Sequence, residues 1–160
     1  MKVKLAVSLL AAFASTMCSA AVAADAPRQV QVEHNSEKVM PFRMQGSKHF
    51  FVPTPTGGVQ TVLVHDGDRT QVGLVRSHLR KEAAAFAHGD FADPASIHGG
   101  DMPGLHALRA GAERIEVRYA DVPNGATITY KSADPALVSA LHTWFKAQVN
   151  DHGTHATMKM

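Results

Sequence analysis

The order of predicted elements constrains the fold of this chain more than any other feature. Four short runs rich in β-branched and aromatic residues predict strands, at 49–52, 59–65, 114–119 and 126–131. Apolar residues at helical spacing predict two long helices, at 71–88 and 134–150. Each pair of strands therefore precedes one helix. We expect an α+β domain in which two ββα units share one antiparallel sheet, with the helices packed on it.

The two predicted units also resemble each other in sequence. His78 and His142 occupy matching places in the two helices, and each is followed ten residues later by a His-Gly pair, at His88 and His152. This similarity predicts a duplicated ββα unit with a repeat of about 64 residues. A chance similarity is the alternative, because no long identity joins the two halves.

The rest of the chain lacks comparable periodicity. We predict a flexible leader over 25–45 with an edge strand at 29–33, a loop over 91–104 and a short helix over 105–110. One α+β domain then spans 46–153. The polar residues 154–160 predict a disordered tail.

The N-terminus has the pattern of a secretory signal peptide. A positive start with Lys2 and Lys4 precedes an apolar run and then small residues, which places cleavage before Ala24 or Asp25. The apolar run is shorter than the roughly 20 residues that span a bilayer. We therefore predict a signal peptide over 1–24, a periplasmic or secreted protein, and no stable membrane insertion after cleavage. An uncleaved N-terminal anchor is the alternative.

Cleavage changes the composition of the working domain. Cys18, the single cysteine, leaves with the signal, so the mature domain can hold no disulfide. Lys2 and Lys4 leave too, and the remaining basic residues then equal the 14 acidic ones. A neutral chain without a basic patch argues against nucleic acid as a partner. The mature length of about 136 residues suits one domain.

Histidine is the unusual component of the mature chain. All ten histidines lie beyond the predicted signal, and five methionines remain with them. Imidazole binds copper, zinc, iron and nickel, whereas a thioether favours Cu(I). The composition therefore predicts a domain that binds a transition metal for tolerance or delivery, with copper favoured and zinc as the alternative.

Five residues are the candidate metal ligands. His78 and Glu82 lie four apart on one helix and share a face, and His142 lies on an apolar helix face. His98 and Met102 belong to a glycine-rich loop that joins the two halves. We expect His78, His98 and His142 to converge with Met102 nearby, and affinity to fall below about pH 6.5 as imidazoles gain protons. The structural alternative is core histidines satisfied by hydrogen bonds, and for His88 and His152 a helix-terminal role.

Two other functions are compatible with the sequence. One is a hydrolase or lyase that acts on a small molecule through a histidine–carboxylate pair, and the other is non-covalent haem binding through histidine or methionine. The mature chain has no cysteine, no Gly-x-Ser-x-Gly elbow and no phosphate-binding loop. These absences favour a binding protein over an enzyme.

Four segments resemble a group of uncharacterised exported bacterial proteins, some labelled aspartate carbamoyltransferase. They are Arg76-Ser77-His78-Leu79, residues 89–94, residues 97–105 and residues 142–148. The chain is shorter than the two-domain carbamoyltransferase and lacks its Ser-Thr-Arg-Thr phosphate-binding segment. The resemblance therefore implies an exported single domain and supplies no mechanism.

Overall fold

The computed structural model describes residues 20–160, with side chains from Pro27 onward, and the predicted signal peptide falls mainly outside that range. It contains five strands, β1 Ser47–Thr54, β2 Gly57–Val64, β3 Glu116–Val122, β4 Gly125–Lys131 and β5 Ala156–Thr157. Its five α-helices are α1 Ala20–Val39, α2 Arg69–Ala87, α3 Ala92–His98, α4 Leu105–Ala110 and α5 Pro135–His152. No helix within residues 20–160 is long and apolar enough to cross a membrane.

One five-stranded sheet joins the two hairpins, in the order β3-β4-β2-β1-β5. The β1–β2, β2–β4 and β3–β4 pairs are antiparallel, and β5 joins β1 in parallel. Helix α2 packs across β3 and β4, whereas α5 packs across β1 and β2, so each helix covers the hairpin of the other unit. The predicted α+β fold of two ββα units is confirmed, with a mixed sheet because of β5. The duplication stays a prediction.

The segment predicted as a flexible leader forms helix α1 over most of its length. This helix packs against α3 and α5 and buries Val32 and Ser36. The predicted edge strand at 29–33 is therefore wrong, and most of the segment predicted as a flexible leader over 25–45 is helical. The segment has little amphipathic periodicity of its own, and its contacts with α3 and α5 stabilise the helix instead.

Two further segments differ from the prediction. The loop predicted over 91–104 contains helix α3. At the start of this helix, the Asp90 side chain accepts a hydrogen bond from the backbone N–H of Ala92. The tail predicted to be disordered contains β5, which extends the sheet and buries Ala156. Helix α3 packs against α1, whereas β5 packs against β1 and α5.

Candidate metal centre

Polar side chains cluster in the core around one cavity. Aromatic and aliphatic side chains form the rest of the core, in which Trp144 and Phe145 are fully buried. The cavity has a volume of about 30 Å³. A site of this size holds roughly two water molecules or an ion with its solvent ligand. Its polar lining comprises four histidines, two carboxyl groups, two glutamines and the indole, from His49, Gln60, His78, Glu82, Asp93, His98, Trp144, Gln148 and His152.

Helix α2 contributes two of these side chains from one face. Asp68 caps the helix by accepting from the Thr70 and Gln71 amides. Residues four apart in a helix project in the same direction, which places His78 one turn before Glu82. The ring of Phe42 contacts the His78 ring edge-on at 5.7 Å between centroids. Packing thus holds the imidazole against the cavity.

Helix α3 contributes the third side chain, Asp93, from its first turn. One ligand atom from each of His78, Glu82 and Asp93 lies within 4.8 Å of the other two. Among the described residues, no other group of three histidines, cysteines or carboxylates is that close together. Lys81 adds a positive charge at the rim, because its Nζ lies 2.8 Å from an Asp93 oxygen.

The two carboxyl groups of this group carry different charges. Burial raises the pKa of Glu82, and the hydrogen bond to Asp93 raises it further, to about 8. Burial also raises the pKa of Asp93, but the hydrogen bonds from Lys81 and Glu82 lower it more, so that it lies below its usual value. The pair therefore holds one proton at neutral pH, and that proton resides on Glu82.

The His78 imidazole is neutral over the same range. Burial lowers its pKa to about 4, against a smaller opposing effect of the Asp93 carboxylate. A neutral imidazole has a free lone pair, which is the form that binds a metal ion. At neutral pH the group thus offers the His78 nitrogen and the ionised Asp93 carboxylate as ligands. Glu82 provides a second carboxylate once it loses its proton.

Unpaired polar atoms face the same cavity from the sheet and from α5. Four buried side-chain atoms of the described residues have no hydrogen-bond partner in the protein: both ring nitrogens of His49, Oε1 of Glu82 and Nε1 of Trp144. His49 is 2% exposed, and burial is the main cause that lowers its pKa to about 3. Buried polar groups normally find partners. The residues that carry these four atoms all line the one cavity.

A histidine–carboxylate pair borders the other side of the cavity. Nδ1 of His98 lies 2.9 Å from Oδ2 of Asp151, and Arg28 of α1 donates to both Asp151 oxygens. Burial raises the pKa of Asp151, but the hydrogen bonds from His98 and Arg28 lower it more, so the carboxylate is ionised and can only accept. Nδ1 of His98 is therefore the donor in this hydrogen bond.

The structure brings together only part of the predicted ligand set. His78 and Glu82 lie in the group with Asp93, and His98 lines the same cavity. Met102 is buried but does not line the cavity. His142 does not line the cavity, because it lies about 15 Å along α5 from His152, which does. Its Nε2–H instead donates hydrogen bonds to the backbone carbonyls of Thr54 and Gly57. The expected convergence of His78, His98 and His142 is therefore wrong, since the β1–β2 turn satisfies the His142 imidazole.

Sequence reasoning missed Asp93, His49 and His152. Asp93 lay in the segment predicted as a loop, although Asp90 is a residue type that commonly precedes a helix. His152 contacts the rings of His98 and His49 at 4.8 and 5.4 Å between centroids, inside the core rather than at an exposed helix terminus. Comparison with protein-family models, curated proteins and solved structures finds no match to this chain.

Proposed function

We propose that this domain binds one divalent transition metal ion through His78, Glu82 and Asp93, in an exported protein of the periplasm or extracellular space. The observation that carries the proposal is the close approach of one nitrogen and two oxygen ligand atoms, all within 4.8 Å of one another. An ion about 2 Å from each ligand would fit between them. It would also give Glu82 Oε1 a partner.

The donor set favours borderline divalent ions. One imidazole and two carboxylates suit Zn²⁺, Co²⁺ and Cu²⁺, whereas Cu(I) prefers thioether and thiolate sulfur. Met102 does not line the cavity, and Met40, which does, is not one of the three clustered ligands, so the group itself contains no sulfur. We therefore favour zinc as the resident ion and expect Cu²⁺ to bind more tightly in vitro, in keeping with the Irving–Williams order.

The size of the cavity supports metal binding over the two alternative functions. Drug-sized ligands occupy pockets of roughly 300–1,000 Å³, and the cavity beside these ligands measures about 30 Å³. An organic substrate or a haem would not fit this cavity, whereas larger surface pockets of about 350 and 400 Å³ border His98 and Asp151. The His98–Asp151 pair has the geometry of a general base, but His98 is only 5% exposed.

Metal binding is tested first by calorimetry and thermal unfolding. Zn²⁺, Co²⁺ and Cu²⁺ should bind with a stoichiometry of one and raise the free energy of unfolding by about 2.7 kcal/mol at a hundredfold excess over the dissociation constant. Glu82→Gln should weaken metal binding by at least about 100-fold, because it removes a carboxylate ligand. Loss of a residue that only hydrogen-bonds to a metal ligand already lowers affinity by about 10–100-fold. The exchange leaves side-chain volume unchanged and replaces a carboxyl that is neutral at pH 7 in the free protein.

Glu113→Gln is the matched control, since Glu113 is an exposed glutamate outside the cavity. Its metal affinity should equal that of the wild type. No metal-dependent stabilisation with any of the three ions, or equal affinity in Glu82→Gln and wild type, would contradict the proposal.

A second prediction concerns the pH dependence of affinity. Because the pKa of Glu82 is about 8 and that of His78 about 4, binding at pH 7 should release about one proton, from Glu82. Metal affinity should therefore rise about tenfold per pH unit up to pH 8. The sequence alone predicted a different profile, in which affinity falls only below the ordinary histidine pKa of about 6.5. Calorimetry in buffers of different ionisation enthalpy measures the proton count. The Glu82→Gln variant should release none, and a wild-type count of zero would contradict this assignment.

A further inference from the structure

The cavity lies on the inner side of the proposed metal ligands and contains more hydrogen-bonding capacity than the protein satisfies. Trp144 Nε1 can only donate, and His49 as a neutral imidazole offers one donor and one acceptor. Neither is near the surface, because Trp144 is 0% and His49 2% exposed. Both line the cavity that His78, Glu82 and Asp93 also line.

The proposed ion would have a free coordination position. Structural zinc sites have four protein ligands, whereas sites with three protein ligands keep the fourth position for water or another exogenous ligand. Three protein ligands are present here. Asp93 and Lys81 are at the solvent side of the group, with side chains 27% and 68% exposed, so the buried side faces the cavity.

We infer that the cavity is a pocket for a small inorganic anion that binds to the metal ion and accepts hydrogen bonds from Trp144 and His49. This inference rests on the proposed function. The volume of about 30 Å³ limits the ligand to at most about three non-hydrogen atoms.

The charges of the group suit an anion. A divalent ion with two carboxylates and a neutral imidazole has no net charge, and Lys81, 2.8 Å from Asp93, adds one positive charge. One negative ligand therefore brings the metal group, together with Lys81 at its exposed rim, to no net charge. The indole N–H then gains an acceptor, which removes the cost of leaving that donor buried and unpaired.

The test uses Co²⁺-loaded protein, because the visible spectrum of cobalt reports its ligands, and azide as the probe. Azide should change the spectrum with saturation, whereas benzoate, which is too large for the cavity, should not. Trp144→Phe should weaken azide binding about fivefold to tenfold through the loss of one hydrogen bond. Its Co²⁺ affinity should stay within about twofold of wild type, because no metal ligand changes. His49→Phe, which keeps a ring and removes both nitrogens, should weaken azide binding similarly.

Phe91→Leu is the control for a loosened core, because Phe91 contacts Trp144 at 5.9 Å between ring centroids but does not line the cavity. Its azide affinity should match that of the wild type. Co²⁺ binding without an azide response, or equal azide affinity in wild type, Trp144→Phe and His49→Phe, would overturn this inference while the metal site stands. Absence of Co²⁺ binding would overturn the proposed function and this inference together.

Discussion

When the pH is lowered from 7.5 to 5, the free energy of unfolding of the metal-free protein should decrease. The decrease should be about 2 kcal/mol smaller in the His49→Phe variant than in the wild type. Burial lowers the pKa of His49 to about 3 in the folded protein, whereas the unfolded chain has the ordinary value near 6.5. The unfolded state therefore binds a proton over this range and the folded state does not. The stability contributed by a neutral His49 is complete above about pH 6.5 and is lost as the pH falls toward 3. Chemical denaturation in EDTA at both pH values measures the difference.

Other buried groups set the wild-type slope. His78, with a pKa of about 4, destabilises the fold in acid as His49 does, and so does His152, whose pKa burial lowers well below 6.5. Glu82 acts in the opposite sense, because its raised pKa of about 8 means that the folded state gains its proton first as the pH falls. The comparison of variant with wild type reports His49 together with its coupling to His152, because the two rings are in contact and His49 further lowers the pKa of His152.

The control for this experiment is His106→Phe, at an exposed position outside the cavity. Its unfolding free energy should vary with pH as in the wild type. Parallel pH profiles for His49→Phe and wild type would mean that His49 titrates near its ordinary value.

The second large effect is expected at Gly125, in the strand that joins the two hairpins. In this register Gly125 pairs with Leu63, and a Cβ at position 125 would lie 1.9 Å from the Val62 carbonyl oxygen. The obstacle is backbone in the centre of the sheet, so a small side-chain movement cannot relieve the overlap. Gly125→Ala should therefore destabilise the domain by about 3 kcal/mol or prevent folding, as measured by chemical denaturation and far-UV circular dichroism.

Gly73→Ala is the matched control, with an expected effect of opposite sign. Gly73 is exposed in the interior of α2, and a Cβ there meets nothing within 4 Å. Alanine should stabilise the helix by about 1 kcal/mol. Gly125→Ala with wild-type stability would contradict the observed β2–β4 register.

Much of the fold followed from local sequence signals. The β-branched and aromatic runs of both hairpins and the helical spacing of apolar residues depend on residues close in sequence, so β1 to β4, α2, α4 and α5 lie within a few residues of their predicted positions. Helices α1 and α3 and strand β5 were missed because their own patterns are weak and their partners are distant in the chain. Arg28 on α1, for example, pairs with Asp151 at the end of α5.

The candidate site divides in the same way. Sequence determined that His78 and Glu82 share a face, because helical spacing alone dictates it. Only the tertiary structure decided that Asp93 completes their group, that His98 pairs with Asp151 and that His142 bonds to the β1–β2 turn instead. The physical reason is that imidazole accepts many partners, among them a carbonyl, a carboxylate, another ring or an ion. The partner of each histidine depends on how distant elements pack together. His98 and Asp151, and His142 and Thr54, are more than 50 residues apart in the chain.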